Sequence, residues 1–139
     1  MPEFKFTDIN GTTIRRQDFA GRYTVLDFWT TSCGVCFQKF PLFEEQYVKY
    51  RSNNNVVLYS INAKLPSDKE GVSFEIINEI GYSFPTLQGG LIEEVKSTFG
   101  IWAYPTVIVF NPQGFMIFRG DMDKAFTFVE RELERDFTD

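Results

Sequence analysis

The chain contains no histidine. It therefore lacks the usual general base and the usual nitrogen ligand for a metal ion. Neither a Ser-His-Asp triad nor a Cys-His nucleophile can be assembled within it. Cysteine is nearly as scarce, with two in 139 residues. Structural zinc normally draws on four ligands, and no second cysteine pair exists to complete such a set, so no metal is expected. Positive charge is also short: Lys and Arg number 14 against 19 Asp and Glu, a net charge of -5. No basic run alternates with aromatics, which argues against nucleic acid or an anionic membrane as the main partner. No apolar run reaches the roughly 18 residues of a spanning helix, so no embedded membrane segment is expected. The opening, MPEFKF, lacks the basic stretch followed by a hydrophobic one that marks a secretory leader. Either the chain works in the cytoplasm, or a leader has been removed.

Aromatic residues are plentiful. There are 16 phenylalanines, and hydrophobic residues make up 43% of the chain. That supply and length suit one domain with one core, spanning residues 1–139. Residues 4–7 alternate as a short strand, Asn10-Gly11 turns the chain, and Ile14 begins a return strand. Residues 18–21 read as a turn or helical step. Residues 23–29, YTVLDFW, form a compact strand that is apolar on both faces except at Asp27, as at the centre of a sheet. From Cys33 to Tyr50, Phe37, Phe40, Phe43, Tyr47 and Tyr50 recur at helical steps, with Pro41 expected to kink the helix. Residues 56–62 form a second central strand. Residues 67–81 predict a helix capped by Ser67, with Glu70 completing a capping box and Phe74, Ile76, Ile77 and Ile80 on its apolar side. A short edge strand is expected over 84–87, and a short helix over 93–99 ending at Gly100. Residues 106–110 and 115–120 predict a hairpin turned by Asn111–Gly114. The last helix runs from Asp123 to about Phe137, with Phe126, Val129, Leu133 and Phe137 along one side. The order predicts an α/β fold, a mixed sheet with helices on both faces.

The two cysteines, Cys33 and Cys36, follow the 23–29 strand directly and open the next helix. Free amides and the helix dipole at such a start stabilise a thiolate on Cys33. A thiolate there can attack a disulfide, and Cys36, one helical turn on, can resolve the mixed disulfide. Two buried structural thiols are the plainer alternative. Asp27 is the second anomaly. A buried carboxylate is costly unless paired or protonated, and burial raises its pKa into a range useful for taking the proton of Cys36. The plainer reading places it at a strand end facing solvent. Pro105, between Tyr104 and a strong strand, is the third. It can hold a cis peptide bond and leave the backbone of Tyr104 open to an extended segment. An ordinary trans proline is the alternative. Trp29, Val35, Tyr104 and Phe84 either form an apolar docking rim or belong to the core.

Taken together, LDFWTTSCGVC, Asp27, the helix-kinking Pro41 and Tyr104-Pro105-Thr106 resemble the thioredoxin superfamily over roughly residues 4–137. FTDINGTTIRRQDFAGRYTVLDFW resembles the amino-terminal region of its TlpA/ResA-like branch, shared more loosely with the AhpC/TSA-related peroxiredoxins, and the stretch from Ala63 to Leu91 resembles that branch's central insertion. The resemblance implies a thioredoxin-like fold with an N-terminal β-hairpin. It also implies a thiol-disulfide oxidoreductase with no cofactor, acting as a monomer on protein thiols or disulfides and on an upstream redox partner. In that branch the domain usually works outside the bacterial cytoplasm, periplasmic or membrane-tethered. Several positions depart from the pattern. Gly34-Val35 replaces the Gly-Pro of thioredoxins, and Ser32 replaces the preceding tryptophan. Lys39 stands where many ResA-like proteins carry a glutamate, and Asp27 where they carry an asparagine. Thr30 and Cys33 match part of the peroxiredoxin TxxC element, but Leu26 occupies the place of that element's proline. A peroxide reductase and a binding module with little catalysis are the competing functions.

Overall fold

The computed structural model describes residues 1–137, apart from the side chain of Phe137. Strands β1 (Lys5–Thr7) and β2 (Thr13–Arg15) form the N-terminal hairpin, and a 3-10 turn follows at Arg16–Phe19. Then come β3 (Tyr23–Trp29), α1 (Gly34–Tyr50), β4 (Val56–Lys64), α2 (Val72–Ile80), β5 (Thr86–Leu91), α3 (Ile92–Phe99), β6 (Thr106–Phe110), β7 (Met116–Gly120) and α4 (Met122–Phe137). All seven strands join one sheet in the order β2-β1-β5-β4-β3-β6-β7. Helical crossovers make β3, β4 and β5 parallel, whereas β6 and β7 run antiparallel.

Every residue of β3 is buried, because β4 and β6 flank it and helices cover both faces. Its side chains alternate between two cores. Tyr23, Val25 and Trp29 join Phe40 and Phe43 of α1 and Phe126, Val129 and Leu133 of α4. Leu26 and Phe28 join Val95 and Phe99 of α3, with Phe6 and Phe19 from the N-terminal region. The expected row along the last helix is therefore seen at Phe126, Val129 and Leu133; the side chain of Phe137 lies outside the described residues. Pro41 sits inside α1 on its exposed side.

The region from Ala63 to Leu91 departs from the sequence reading. No helix starts at Ser67, and the box with Glu70 does not form. Gly71 stands in the left-handed region at φ 76°, which ends the preceding turn and lets α2 begin only at Val72. Of the expected apolar side, Ile77 is buried, Phe74 and Ile76 are partly buried, and Ile80 faces solvent. The short edge strand is instead an internal one. It extends to Leu91 and lies between β4 and β1. Its two glycines weaken the strand signal, but the packing requires one of them. A Cβ at Gly89 would lie 2.7 Å from Ile61 Cγ2.

Candidate active site

The carboxyl ends of β3 and β4 and the start of β6 meet at one end of the sheet, since Phe28 pairs with Thr106 and Trp29 with Asn62. The turn from Thr30 to Cys33 leaves β3 there and enters α1. Cys33 is the N-cap: its Sγ accepts the N–H of Cys36 at 3.1 Å, satisfying one of the donors a helix start leaves free. The two sulfurs are joined in a disulfide, with Cα atoms 5.3 Å apart. Their exposures differ. Cys33 is partly open to solvent, whereas Cys36 is 0% exposed and packs with Trp29, Phe37 and Phe40. An attacking group from outside can reach the first sulfur and not the second. On reduction, the helix start remains a site that favours negative charge on Cys33.

The floor of the site is aromatic. Trp29 meets Phe37 and Phe40 edge-on, at centroid distances of 5.7 and 5.1 Å. Its indole N–H donates to Ser60 Oγ at 3.3 Å, and Ser60 pairs in turn with the Thr86 hydroxyl at 2.8 Å. Asp27 lies two residues back on the same face of β3, directly across from Ser60 in register. It is 0% exposed, and neither carboxylate oxygen has a hydrogen-bond partner among the described residues. Burial without compensation holds its pKa well above the ordinary value of 3.8. The solvent-facing alternative for Asp27 is thus excluded. The geometry gives a protonatable group in the core that contains the inner cysteine.

The Tyr104–Pro105 peptide bond is cis and precedes β6 at the same end of the sheet. Tyr104 packs against both cores, its hydroxyl buried without a partner and its pKa raised by that burial. Of the proposed rim, Val35 is 51% exposed beside Cys36, and Tyr104 and Pro105 are partly exposed. Trp29 and Phe84 are not rim residues. Both are buried: Trp29 continues the inward alternation of β3, and Phe84 fills the space between Phe40 and Phe43. Trp29 therefore supports the site from below and does not face a visiting chain.

Two features near the site escaped the sequence reading. The Asp68 carboxylate accepts the hydroxyl of Thr31 at 2.7 Å and the N–H of Leu65 at 3.0 Å, tying the loop after β4 to the turn before Cys33. No local pattern signals a contact across 37 residues. Trp102, three residues before the cis-proline, is 78% exposed; its apolar neighbours Ile101 and Ala103 gave no local sign that it faces solvent. Lys39, where ResA-like proteins often have glutamate, is paired with Asp123 at 2.8 Å, which raises the lysine's pKa and lowers the aspartate's.

Comparison with known proteins agrees with this geometry. A thiol-disulfide oxidoreductase ResA of Bacillus thuringiensis is 27% identical over 115 residues, covering 81% of this chain; the chain spans only 62% of that relative's length. A ResA of Geobacillus kaustophilus is 29% identical, over 96% of this chain and 74% of its own. Among solved structures, the exposed lipoprotein thioredoxin of Streptococcus pneumoniae superposes with a TM-score of 0.75 at 22% identity, covering 94% of this chain and 99% of that one. The AhpC/TSA family pattern matches residues 1–119, from the N-terminal hairpin through the disulfide to β7. With the fold, the capped cysteine pair and this match in hand, the chain belongs to the AhpC/TSA family, in its thioredoxin-fold form related to ResA-type proteins.

Proposed function

We propose that the chain is a thiol-disulfide oxidoreductase that exchanges its Cys33–Cys36 pair with protein thiols and disulfides. The observation that carries this reading is the asymmetry of the pair: an accessible sulfur capping a helix and a fully buried one a turn later. In the reducing direction, the Cys33 thiolate attacks one sulfur of a substrate disulfide. The substrate S–S bond breaks, and its departing sulfur takes a proton from water. Cys36 then loses its proton to the Asp27 carboxylate and attacks Cys33 Sγ. The Cys33–Cys36 bond forms, the mixed disulfide breaks, and the second substrate sulfur leaves as a thiolate. Two electrons pass to the substrate. The reverse sequence oxidises a substrate dithiol.

The open backbone at Tyr104 and Pro105, with Val35, offers an extended segment a place beside Cys33. The chain needs no cofactor for this exchange and acts as a monomer, with an upstream redox partner resetting the pair. Its place is outside the bacterial cytoplasm, periplasmic or tethered to the membrane. The description of the pneumococcal relative as an exposed lipoprotein supports that placement. Among the described residues, no helix is long and apolar enough to cross a membrane.

Alkylation of the reduced protein is expected to label Cys33 well before Cys36, and Cys36→Ser is expected to accumulate mixed disulfides with a disulfide substrate. Preferential labelling of Cys36, or no adduct with the serine variant, overturns the assignment of roles. Rapid single-turnover oxidation by hydrogen peroxide, far above the rate of a free thiol, would point to a peroxide reductase instead.

A further inference from the structure

Among the described residues, Trp102 is the most exposed large apolar side chain, at 78%, and the exchange chemistry above does not use it. The loop that carries it is tied at both ends. Gly100, in the left-handed region at φ 66°, ends α3. Arg119 of β7 donates to the carbonyl of Phe99 at 2.8 Å and also to that of Gly100. On the far side, the Thr106 hydroxyl donates to the carbonyl of Ala103 at 2.6 Å. Lys96 of α3 sits over one face of the indole, 4.0 Å from its centroid. A costly exposed aromatic is thus held in place on a braced loop. That loop leads straight into Tyr104 and the cis-proline at the disulfide end of the sheet.

We propose that Trp102 is a specificity-determining contact for the polypeptide substrate. In this role it receives a bulky apolar or aromatic side chain that flanks the reactive cysteine of an extended segment. The proposal rests on the exchange function above. Trp102 stands two residues before Tyr104, whose backbone and cis-proline are the place proposed above for an extended segment, so a segment running past Tyr104 is within reach of the ring. The chemistry of the occupant follows from Lys96. With a cation already on the ring, a second cation is disfavoured, and an apolar side chain gains by covering the indole. Tryptophan concentrates binding energy in this way at protein interfaces.

The test compares two synthetic disulfide-linked peptides, one with phenylalanine and one with glycine two residues from the cysteine, on the full chain. The wild type is expected to show a KM about tenfold lower for the phenylalanine peptide. Trp102→Ala is expected to abolish that preference, and Trp102→Phe to restore most of it. Phe115→Ala, which removes an exposed aromatic at the opposite end of the sheet, is expected to retain it in full. An undiminished preference in Trp102→Ala overturns the proposal, as does an equal fall in kcat for both peptides. A phenylalanine peptide with serine in place of cysteine separates this claim from the exchange reading. Calorimetric binding of that peptide to the oxidised wild type but not to Trp102→Ala supports the contact even if turnover is absent. Normal turnover without Trp102-dependent binding rejects the contact and leaves exchange standing.

Discussion

Asp27 carries a large local cost, a carboxyl group buried with both oxygens unpaired. Its folded-state pKa lies above the ordinary 3.8, so the native protein binds this proton more tightly than the unfolded chain. Below the ordinary value both states are protonated and no penalty exists. As pH rises from there through the raised native pKa, stability is lost. Asp27→Asn should therefore stabilise the protein by on the order of 1–3 kcal/mol at about pH 8. The gain should vanish toward ~pH 4, as read by urea denaturation across pH. The same variant should slow resolution of the mixed disulfide by about 100-fold or more near neutral pH, in keeping with removal of a general base. A rate indifferent to pH and to the substitution would leave Asp27 a purely structural cost. Asp27 and the cysteines were legible because each breaks a local pattern: a charge in an apolar run, and two thiols where a strand gives way to a helix. The inward direction of Trp29 was not, since the end of a strand can face water or core depending on what packs over it.

At the scale of elements, legibility followed periodicity. β3, α1, β6 and α4 have strong apolar patterns, and the structure places them close to where those patterns predict. The stretch from Ala63 to Leu91 does not. Ser67 and Glu70 have the spacing of a capping box, but Gly71 leaves the helical region, and Asp68 is drawn into hydrogen bonds with Thr31 and Leu65. β5 was obscured by Gly89 and Gly90, whose value appears only across the sheet. Gly89 lets α3 and β4 approach, with Val95 Cγ2 only 3.4 Å from where a Cβ would stand. Gly89→Ala should destabilise the fold by about 1–3 kcal/mol through overpacking against Ile61 and Val95, measured as a lower denaturation midpoint. The loop entering β5 is secured from α1. The Glu44 carboxylate accepts the N–H groups of Ser83 and Phe84 at 2.9 and 3.0 Å and the Ser83 hydroxyl at 2.6 Å.

At the scale of the whole molecule, α4 is fastened to the sheet that holds the disulfide. Tyr23 opens β3 inside the core, and its hydroxyl donates to Asp136 near the end of α4. Burial, reinforced by that aspartate, raises the phenol from 10.0 to about 12. The folded state thus keeps a proton that the unfolded chain gives up earlier, so stability falls as pH rises from 10.0 to about 12. Tyr23→Phe should lose about 1–2 kcal/mol at neutral pH with the hydrogen bond. It should also flatten the alkaline decline, visible in thermal melts taken across that range. Sequence alone determined the class of the fold and the position of the dithiol. Those properties depend on local periodicity and on two residues a helical turn apart. Only the tertiary structure decided which sulfur meets solvent, that Trp29 supports the site while Trp102 faces outward, and that β5 lies inside the sheet. Burial and strand order depend on which distant surfaces come together, and no residue's neighbours in the chain record that.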